Sequence, residues 1–512
     1  MYLKNKFASV LVLGGMVLLI ASCTKKLDTN LSNPNSITTN AITGKDVFAN
    51  ALQNTVYAIN ANAYIYSSAS VTPVQTTVGI STLTNEWMGI WARTTSYSAS
   101  GTQYLLESFI LNNGYGDNFW GSIYHNLSDY NFVASKSAEG SILPGASLVM
   151  KALLFQDLVD IFGNVPYSQA LTTNTTPAYD AATAIYASLP PLLDSAMGLI
   201  NASQATGDDA ADIMFKGNKA SWLAFANTVK LRVLLRQIPN ASSASALKSE
   251  MDRTTSYGFM TPGVDATINP GYKDAINMQS PFWATFGFQV GGVNPYQPGT
   301  FFIANQTMID YLTATSDPRL GAIYTVAPAG GYAGNYLGDA DNAKLVSHLS
   351  SIGSGILKSA SMDGVIMTAS EGLFLQAEAA QRGLITGNYL DLFGQGVAES
   401  FRFLGVSASA ASYISGSTDD RVNPAVAADP IKTIIYQKWV ANAEIDGLEI
   451  WSDYRRTGYP DRTNPSVNPA ASVNVIPKRL LYPLSETAQN TANYNAQHQQ
   501  NSDIYTKIFW GQ

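Results

Sequence analysis

The chain has 512 residues, of which 46% are hydrophobic and only 13% charged, against about 25% charged in an ordinary soluble domain, and its formal net charge is −7. That acidic balance, at a pI near 5.1, excludes nucleic acid as a natural partner, since phosphate binding needs a basic face. One cysteine rules out an internal disulfide framework, so stability must come from a hydrophobic core, which a chain of this length can build.

From the N-terminus, Lys4 and Lys6 precede an apolar run from Phe7 to Ile20, too short for the roughly 20 residues of a membrane-spanning helix and suited to a signal h-region. The lone cysteine, Cys23, follows directly on Ile20-Ala21-Ser22. Small residues there let a peptidase close on the backbone, and the tetrad resembles a bacterial lipobox. We therefore read 1–22 as a lipoprotein signal peptide and Cys23 as the lipid-attachment site. Each buried methylene adds about 0.8 kcal/mol, so two or three acyl chains hold a protein at a bilayer durably. Residues 23–43, rich in Asn, Ser and Thr, read as a tether, and 44–512 as one ligand-binding domain.

The domain's dominant period is helical. After Met150, Leu154, Leu158 and Ile161 make one stripe, with Gly163 and Pro166 as the stop. Trp222, Ala226, Val229 and Val233 make another, leaving Lys219, Lys230, Arg232 and Arg236 for the opposite side. Thr368-Ala369-Ser370-Glu371 has the form of a capping box before Leu373, Phe374 and Ala377, and Gly383 ends that helix. Tyr389, Phe393, Val397, Phe401 and Leu404 continue as a partner stripe. The expected fold is all-α, a tetratricopeptide-like right-handed superhelix, although no strict repeat of about 34 residues is visible. Segments 262–298 and 325–355 lack the helical period and are expected as long irregular loops, which in a compact domain tend to be functional.

Several blocks taken together resemble one family. They are Gly163-Asn164-Val165-Pro166-Tyr167, Gly217-Asn218-Lys219-Ala220-Ser221-Trp222, Asp317-Pro318-Arg319, Gln376-Ala377-Glu378-Ala379-Ala380, Gly447-Leu448-Glu449-Ile450-Trp451-Ser452-Asp453-Tyr454-Arg455-Arg456 and Ile476-Pro477-Lys478-Arg479-Leu480-Leu481-Tyr482-Pro483. In this order they resemble the SusD/RagB outer-membrane lipoproteins. The resemblance implies a helical fold with tetratricopeptide-like units, display at the cell surface, capture of glycans or less often peptides, and pairing with a SusC-type TonB-dependent transporter. The blocks themselves read as structural: Asp453, Arg455, Arg456 and Arg479 lie among Trp451, Tyr454 and Tyr482, where paired charges can lock the C-terminal segments onto the core.

Sugars are bound by aromatic faces with a few oriented polar groups. The densest such cluster runs from Asn85 through Trp87, Trp91 and Arg93 to Tyr97, with Trp87 and Trp91 spaced to share a helix face; a second set is Trp283, Phe286 and Tyr296 beside Asn294 and Gln297. The competing reading places Trp87 and Trp91 in the core. The expected ligand-binding residues are Trp87, Trp91, Arg93, Tyr97, Trp283 and Tyr296. Catalysis and metal binding have little support. His125, His348 and His498 are scattered, the cysteine is lipidated, Gly338-Asp339-Ala340-Asp341-Asn342 lacks most ligands of a calcium loop, and no carboxylate pair for glycoside hydrolysis is evident near Glu86 or Asp117. The expectation is a binding protein without cofactor, with a peptide-binding module or an exported glycoside hydrolase as the rival readings.

Overall fold

The computed structural model describes residues 42–59, 79–94, 106–204, 206–238, 244–292, 294–295, 300–339 and 345–512. Helices dominate, and they stack in sequence order. α1 (Gly44–Ile59) and α2 (Ile80–Trp87) open the chain, followed by α3 (Asp117–Lys136), α4 (Leu143–Phe162), α5 (Ala182–Ala202), α6 (Lys219–Gln237) and α7 (Ala244–Asp252). Beyond them come α8 (Pro281–Phe286), α9 (Gln306–Ala314), α10 (Leu320–Ile323), α11 (Ala369–Gln381), α12 (Tyr389–Leu404), α13 (Ala410–Ser415), α14 (Pro430–Ala441), α15 (Gly447–Thr457), α16 (Leu484–Gln489) and α17 (Thr491–Asn495). α1 packs on α3, α3 on α4, α4 on α5 and α5 on α6; α6 then meets α11, which packs on α12 and α14. This succession of antiparallel neighbours is the all-α, tetratricopeptide-like architecture expected from the periodicity.

Local chemistry sets the helix ends. Asn218 accepts a hydrogen bond from Ser221 N at the start of α6, Asp446 from Glu449 N at the start of α15, and glycines in the left-handed region, Gly405 and Gly458, close α12 and α15. The capping box at Thr368 forms only in part. Its hydroxyl accepts from Glu371 N at 3.1 Å, but the Glu371 carboxylate turns away to Arg232 and Asn442. Where α4 and α5 pass closest, Gly145 is required, because a Cβ there would lie 2.8 Å from Ala196 O and 2.6 Å from Ile200 Cγ1. On α12 the stripe Phe393, Val397, Phe401 and Leu404 is buried, each side chain contributing about 1.5–3 kcal/mol.

α6 is two-sided as its sequence divides it, but most of its charged side is buried. Lys230, Arg232 and Arg236 are as buried as the apolar stripe, because the opposite side of α6 faces a charged layer instead of solvent. In that layer Arg236 pairs with Glu449 and Asp160, Lys438 with Glu449 and Asp453, Arg232 with Glu371, and Arg456 with Glu378 and Asp453. It joins α4, α6, α11, α14 and α15. Arg455 donates to the carbonyls of Asp160 and Lys478 and lies 3.4 Å from the Trp451 ring centroid, while Trp510 Nε1 donates to Asp160 Oδ1 at 3.0 Å. Thus the C-terminal cations do lock the last segments onto the scaffold.

Strand is scarce. β1 (Trp91–Arg93) pairs antiparallel with β3 (Phe302–Ala304), Trp91 opposite Ala304, and β2 (Ala266–Ile268) pairs antiparallel with β4 (Gly364–Met367). The described parts of the two loops expected from sequence carry short elements and bridges. The first contains β2 and α8, and in the second the short turn at Val346–His348 and a bridge between Asn305 and Asn335 fix the path.

Candidate ligand-binding site

The first aromatic cluster is not a surface. Helix α2 ends at Trp87, so Trp87 and Trp91 do not share a helix face; Trp91 belongs to β1. Trp87 is fully buried, with ring centroids 5.5 Å from Trp451 and 6.3 Å from Phe109. Trp91 is packed between Phe286 at 4.9 Å and Phe302 at 5.2 Å. Arg93 is likewise interior, its Nε 2.7 Å from Glu86 Oε1 and 3.9 Å from Glu107 Oε1. The core reading therefore replaces the ligand reading for Trp87, Trp91 and Arg93: the hydrophobic gain of sealing two indoles exceeds what a half-exposed platform offers. Tyr97, Tyr296 and Cys23 lie outside the described residues.

The second cluster does reach solvent. α8 starts at Pro281, whose missing N–H costs nothing at a first helical position, and Ser280 N donates to Ala360 O at 2.8 Å to seat it. The helix turns Phe286 inward onto Trp91 and Phe302 and leaves Trp283 half-buried on the outer side. The indole N–H of Trp283 donates to Phe288 O at 3.1 Å, which fixes the ring and leaves its face for contact. Gly287 makes this geometry feasible, since a Cβ there would sit 2.6 Å from Trp283 Cδ2.

Beside the ring is an open recess of about 260 Å3 lined by Asp274, Trp283, Gln289, Gly292, Lys358 and Ser361. Asp274 braces it, accepting from Gln279 Nε2 at 2.7 Å and from Gly291 N at 3.1 Å. Lys358 donates to Phe403 O at 2.7 Å and lies 3.9 Å from that ring centroid; burial holds its pKa below the ordinary lysine value. Ile276, Met278, Phe288 and Val290, from the same stretch of chain as Asp274, Gln289 and Gly292, are exposed. An aromatic face with carboxylate, amide and ammonium groups at its edge can cover the C–H side of a sugar and meet its hydroxyls. Asp274, Gln289 and Lys358 were not singled out from sequence. The turn chemistry of Asp274 and Gly291-Gly292 marks a compact loop, but Lys358 comes from a segment about 70 residues away with no period to connect them.

A wider trough of about 670 Å3 lies elsewhere, lined by residues including Thr315, Ser409, Ser412, Tyr413 and Asp419. Its one aromatic ring is committed, for Tyr413 donates to Asp317 and packs on Phe401. Among the described residues, no helix is long and apolar enough to cross a membrane.

A stacked-helix scaffold that presents an aromatic face beside a polar recess is suited to binding a ligand. The chain belongs to the SusD-like family described as "starch-binding associating with outer membrane", whose model matches residues 34–483. Solved structures agree on the fold. A chitin-binding SusD homolog from Flavobacterium johnsoniae is 23% identical with a TM-score of 0.70, covering 91% of this chain and 98% of its own. A SusD homolog from Bacteroides vulgatus is 20% identical with a TM-score of 0.73, covering 91% and 97%. A SusD-like protein from Bacteroides thetaiotaomicron is 21% identical with a TM-score of 0.69, covering 91% and 98%. No curated protein matches the chain.

Proposed function

We propose that this is a cell-surface lipoprotein, cleaved before Cys23 and anchored there by lipid, that captures oligo- or polysaccharides and delivers them to a SusC-type TonB-dependent transporter of the outer membrane. The single observation that carries the glycan reading is Trp283, an indole fixed by its own N–H with its outer side beside a polar recess, in a chain of this family. Relatives that bind chitin support the same class of ligand. Tyr296, four residues past Gly292, and Tyr97, four past Arg93, are proposed as further aromatic contacts. Nothing in the role requires a reaction; binding and hand-over suffice.

A second reading, peptide capture, is favoured by one feature: Ile276, Met278, Phe288 and Val290, from the stretch of chain that supplies much of the recess lining, are all exposed, more apolar surface than a sugar uses. Screening against both oligosaccharides and oligopeptides decides between them. Trp283→Ala should weaken the true ligand by about 1–3 kcal/mol, as for truncation of an anchoring aromatic, with little change in melting temperature. Unchanged affinity for every ligand found rejects α8 as the site. For the partner, mild detergent extraction with a tag placed after Gln512 should recover a TonB-dependent barrel; recovery of the lipoprotein alone, when other outer-membrane complexes survive, rejects the delivery step.

A further inference from the structure

A second recess, sharing no lining residue with that of Trp283, opens where α15 gives way to the C-terminal segments. Its volume is about 460 Å3, and its lining includes Tyr454, Asp461, Arg462, Asn464, Asn474 and Lys478. Gly458, at φ 79° in the left-handed region, ends α15 and starts the turn that carries Asp461 to Asn464. The wall is firmly held. Asn474 donates to Ser466 O at 2.6 Å and accepts from Ser466 N at 3.1 Å. Arg462 Nε donates to Trp87 O at 3.1 Å, Nη1 to Thr307 Oγ1 at 3.2 Å and Nη2 to Pro465 O at 3.4 Å. Gly89 leaves room for this guanidinium, since a Cβ there would lie 2.6 Å from Nη1.

What sets the recess apart is charge without a partner. In the charged layer Arg232, Arg236 and Arg456 each meet a carboxylate. The acceptors of Arg462 are all neutral, and among the described residues neither Arg462 nor Lys478 forms an ion pair with any carboxylate, that of Gln512 included. Lys478 Nζ makes no hydrogen bond and lies 5.4 Å from the Tyr454 ring centroid; the charged groups in its field are two further cations, Arg455 and Lys507. Burial pulls Lys478 below the ordinary lysine value and Arg462 down to about 10, the direction expected of cations that lack a counter-ion. The Tyr454 hydroxyl and the Asn464 side chain likewise have no hydrogen-bond partner among the described residues. The one acid of the lining, Asp461, commits Oδ1 to Thr463, accepting from its N–H at 3.2 Å and its hydroxyl at 2.8 Å. Two cations, one carboxylate and unclaimed donors therefore meet in a space that is net positive and short of acceptors.

We propose that this recess is a second binding site that takes a carboxylate-bearing saccharide, a uronic acid unit of an acidic glycan. The ligand carboxylate supplies the counter-ion that Lys478 and Arg462 lack, and its second oxygen accepts from the Tyr454 hydroxyl or the Asn464 amide. A single negative charge balances the excess of cation over Asp461. The space far exceeds that of a carboxylate alone, and the half-buried Tyr454 ring with the neutral amides beside it suits the C–H and hydroxyl groups of the attached sugar. Asp461 opposes the anion and so limits its affinity. The saccharide class rests on the glycan reading above; the selectivity for an anion does not.

Calorimetric titration of the full chain with trigalacturonate, trimannuronate and a hexasaccharide of hyaluronan, at low ionic strength, tests the site. At least one should bind, more weakly as salt is raised, and its carboxyl-methylated form should not bind. Lys478→Met should weaken that binding roughly tenfold or more, Lys478→Arg should retain it, and Asp461→Asn should tighten it, a gain that a merely structural role does not give. Trp283→Ala should leave it unchanged. Absence of binding by all three acidic saccharides, equal affinity in Lys478→Met, or loss of binding in Trp283→Ala overturns the proposal. Triglutamate bound more tightly than every saccharide, with the same dependence on Lys478, overturns the saccharide class in favour of an acidic peptide. If neutral chitohexaose does not bind while an acidic saccharide binds through Lys478, the second site is supported and Trp283 as a neutral-glycan platform is not.

Discussion

Replacing Arg456 by Met tests the charged layer at its best-defined pair. The guanidinium and the Glu378 carboxylate are each about 1% exposed; Arg456 Nη2 donates to Glu378 Oε2 at 2.7 Å and to Asp453 Oδ1 at 2.8 Å, and Arg382 adds a 2.8 Å bond from the rim. Burial alone pushes Glu378 up, but Arg456 and then Arg382 outweigh it and hold the carboxyl at about 2 against an ordinary 4.5. At about 1.4 kcal/mol per pH unit this difference is worth roughly 3.5 kcal/mol at neutral pH, close to the 3–5 kcal/mol typical of orphaning a buried charge. Because the folded value is depressed, that stability is present above pH 4.5 and is lost as pH falls toward 2. Urea unfolding at neutral pH should therefore show Arg456→Met about 3–5 kcal/mol less stable, with a flatter acid limb. The double variant Arg456→Met, Glu378→Met should regain much of the loss, since the cost lies in the unpaired charge. A single-variant loss below about 1 kcal/mol, or an unchanged acid limb, refutes the reasoning.

Glu107 runs the other way. Burial, with Glu86 adding to it and Arg93 opposing, raises its carboxyl to about 8, so stability should decline as pH rises from about 4.5 to 8, and Glu107→Gln should remove that decline and gain on the order of 4 kcal/mol at about pH 9 by denaturant titration. Trp87→Ala should lower stability by about 3–5 kcal/mol in the same assay, in contrast to Trp283→Ala, because Trp87 fills space between Trp451 and Phe109. Cys23→Ser should abolish labelling with palmitate and release the protein from the outer membrane; retained label and membrane partition would reject the anchor.

The helical scaffold was legible because its determinants are local. The stripes on α4, α6 and α12, the Gly163 and Gly383 stops and the C-terminal aromatic-cation blocks each lie within one or two turns of themselves. What the sequence hid is non-local. The partners of Arg232 and Arg236 cannot be read from their own helix, because Asp160, Glu371 and Glu449 come from three other helices. Trp87 and Trp91 stand at helical spacing, yet Gly89, at φ 73°, turns the chain between them from helix into strand. Trp283 and Trp87 sit in similar compositions, and only the packing of Phe286 onto Trp91 separates the outward indole from the buried ones. Lys358 entered the recess through the β2–β4 side of the fold, which no spacing announces.

The partners of Asp160 are spread along almost the whole chain: Tyr186, Arg236, the N–H of Trp510 and, on its carbonyl, Arg455. Residues 510–512 complete the neighbours of a carboxylate in the last turn of α4 and of two arginines of α15, Gln512 donating to the Arg455 and Arg456 carbonyls. Removing residues 510–512 should therefore leave Asp160, Arg455 and Arg456 in the interior with incomplete sets of partners, a desolvation cost without its full compensation.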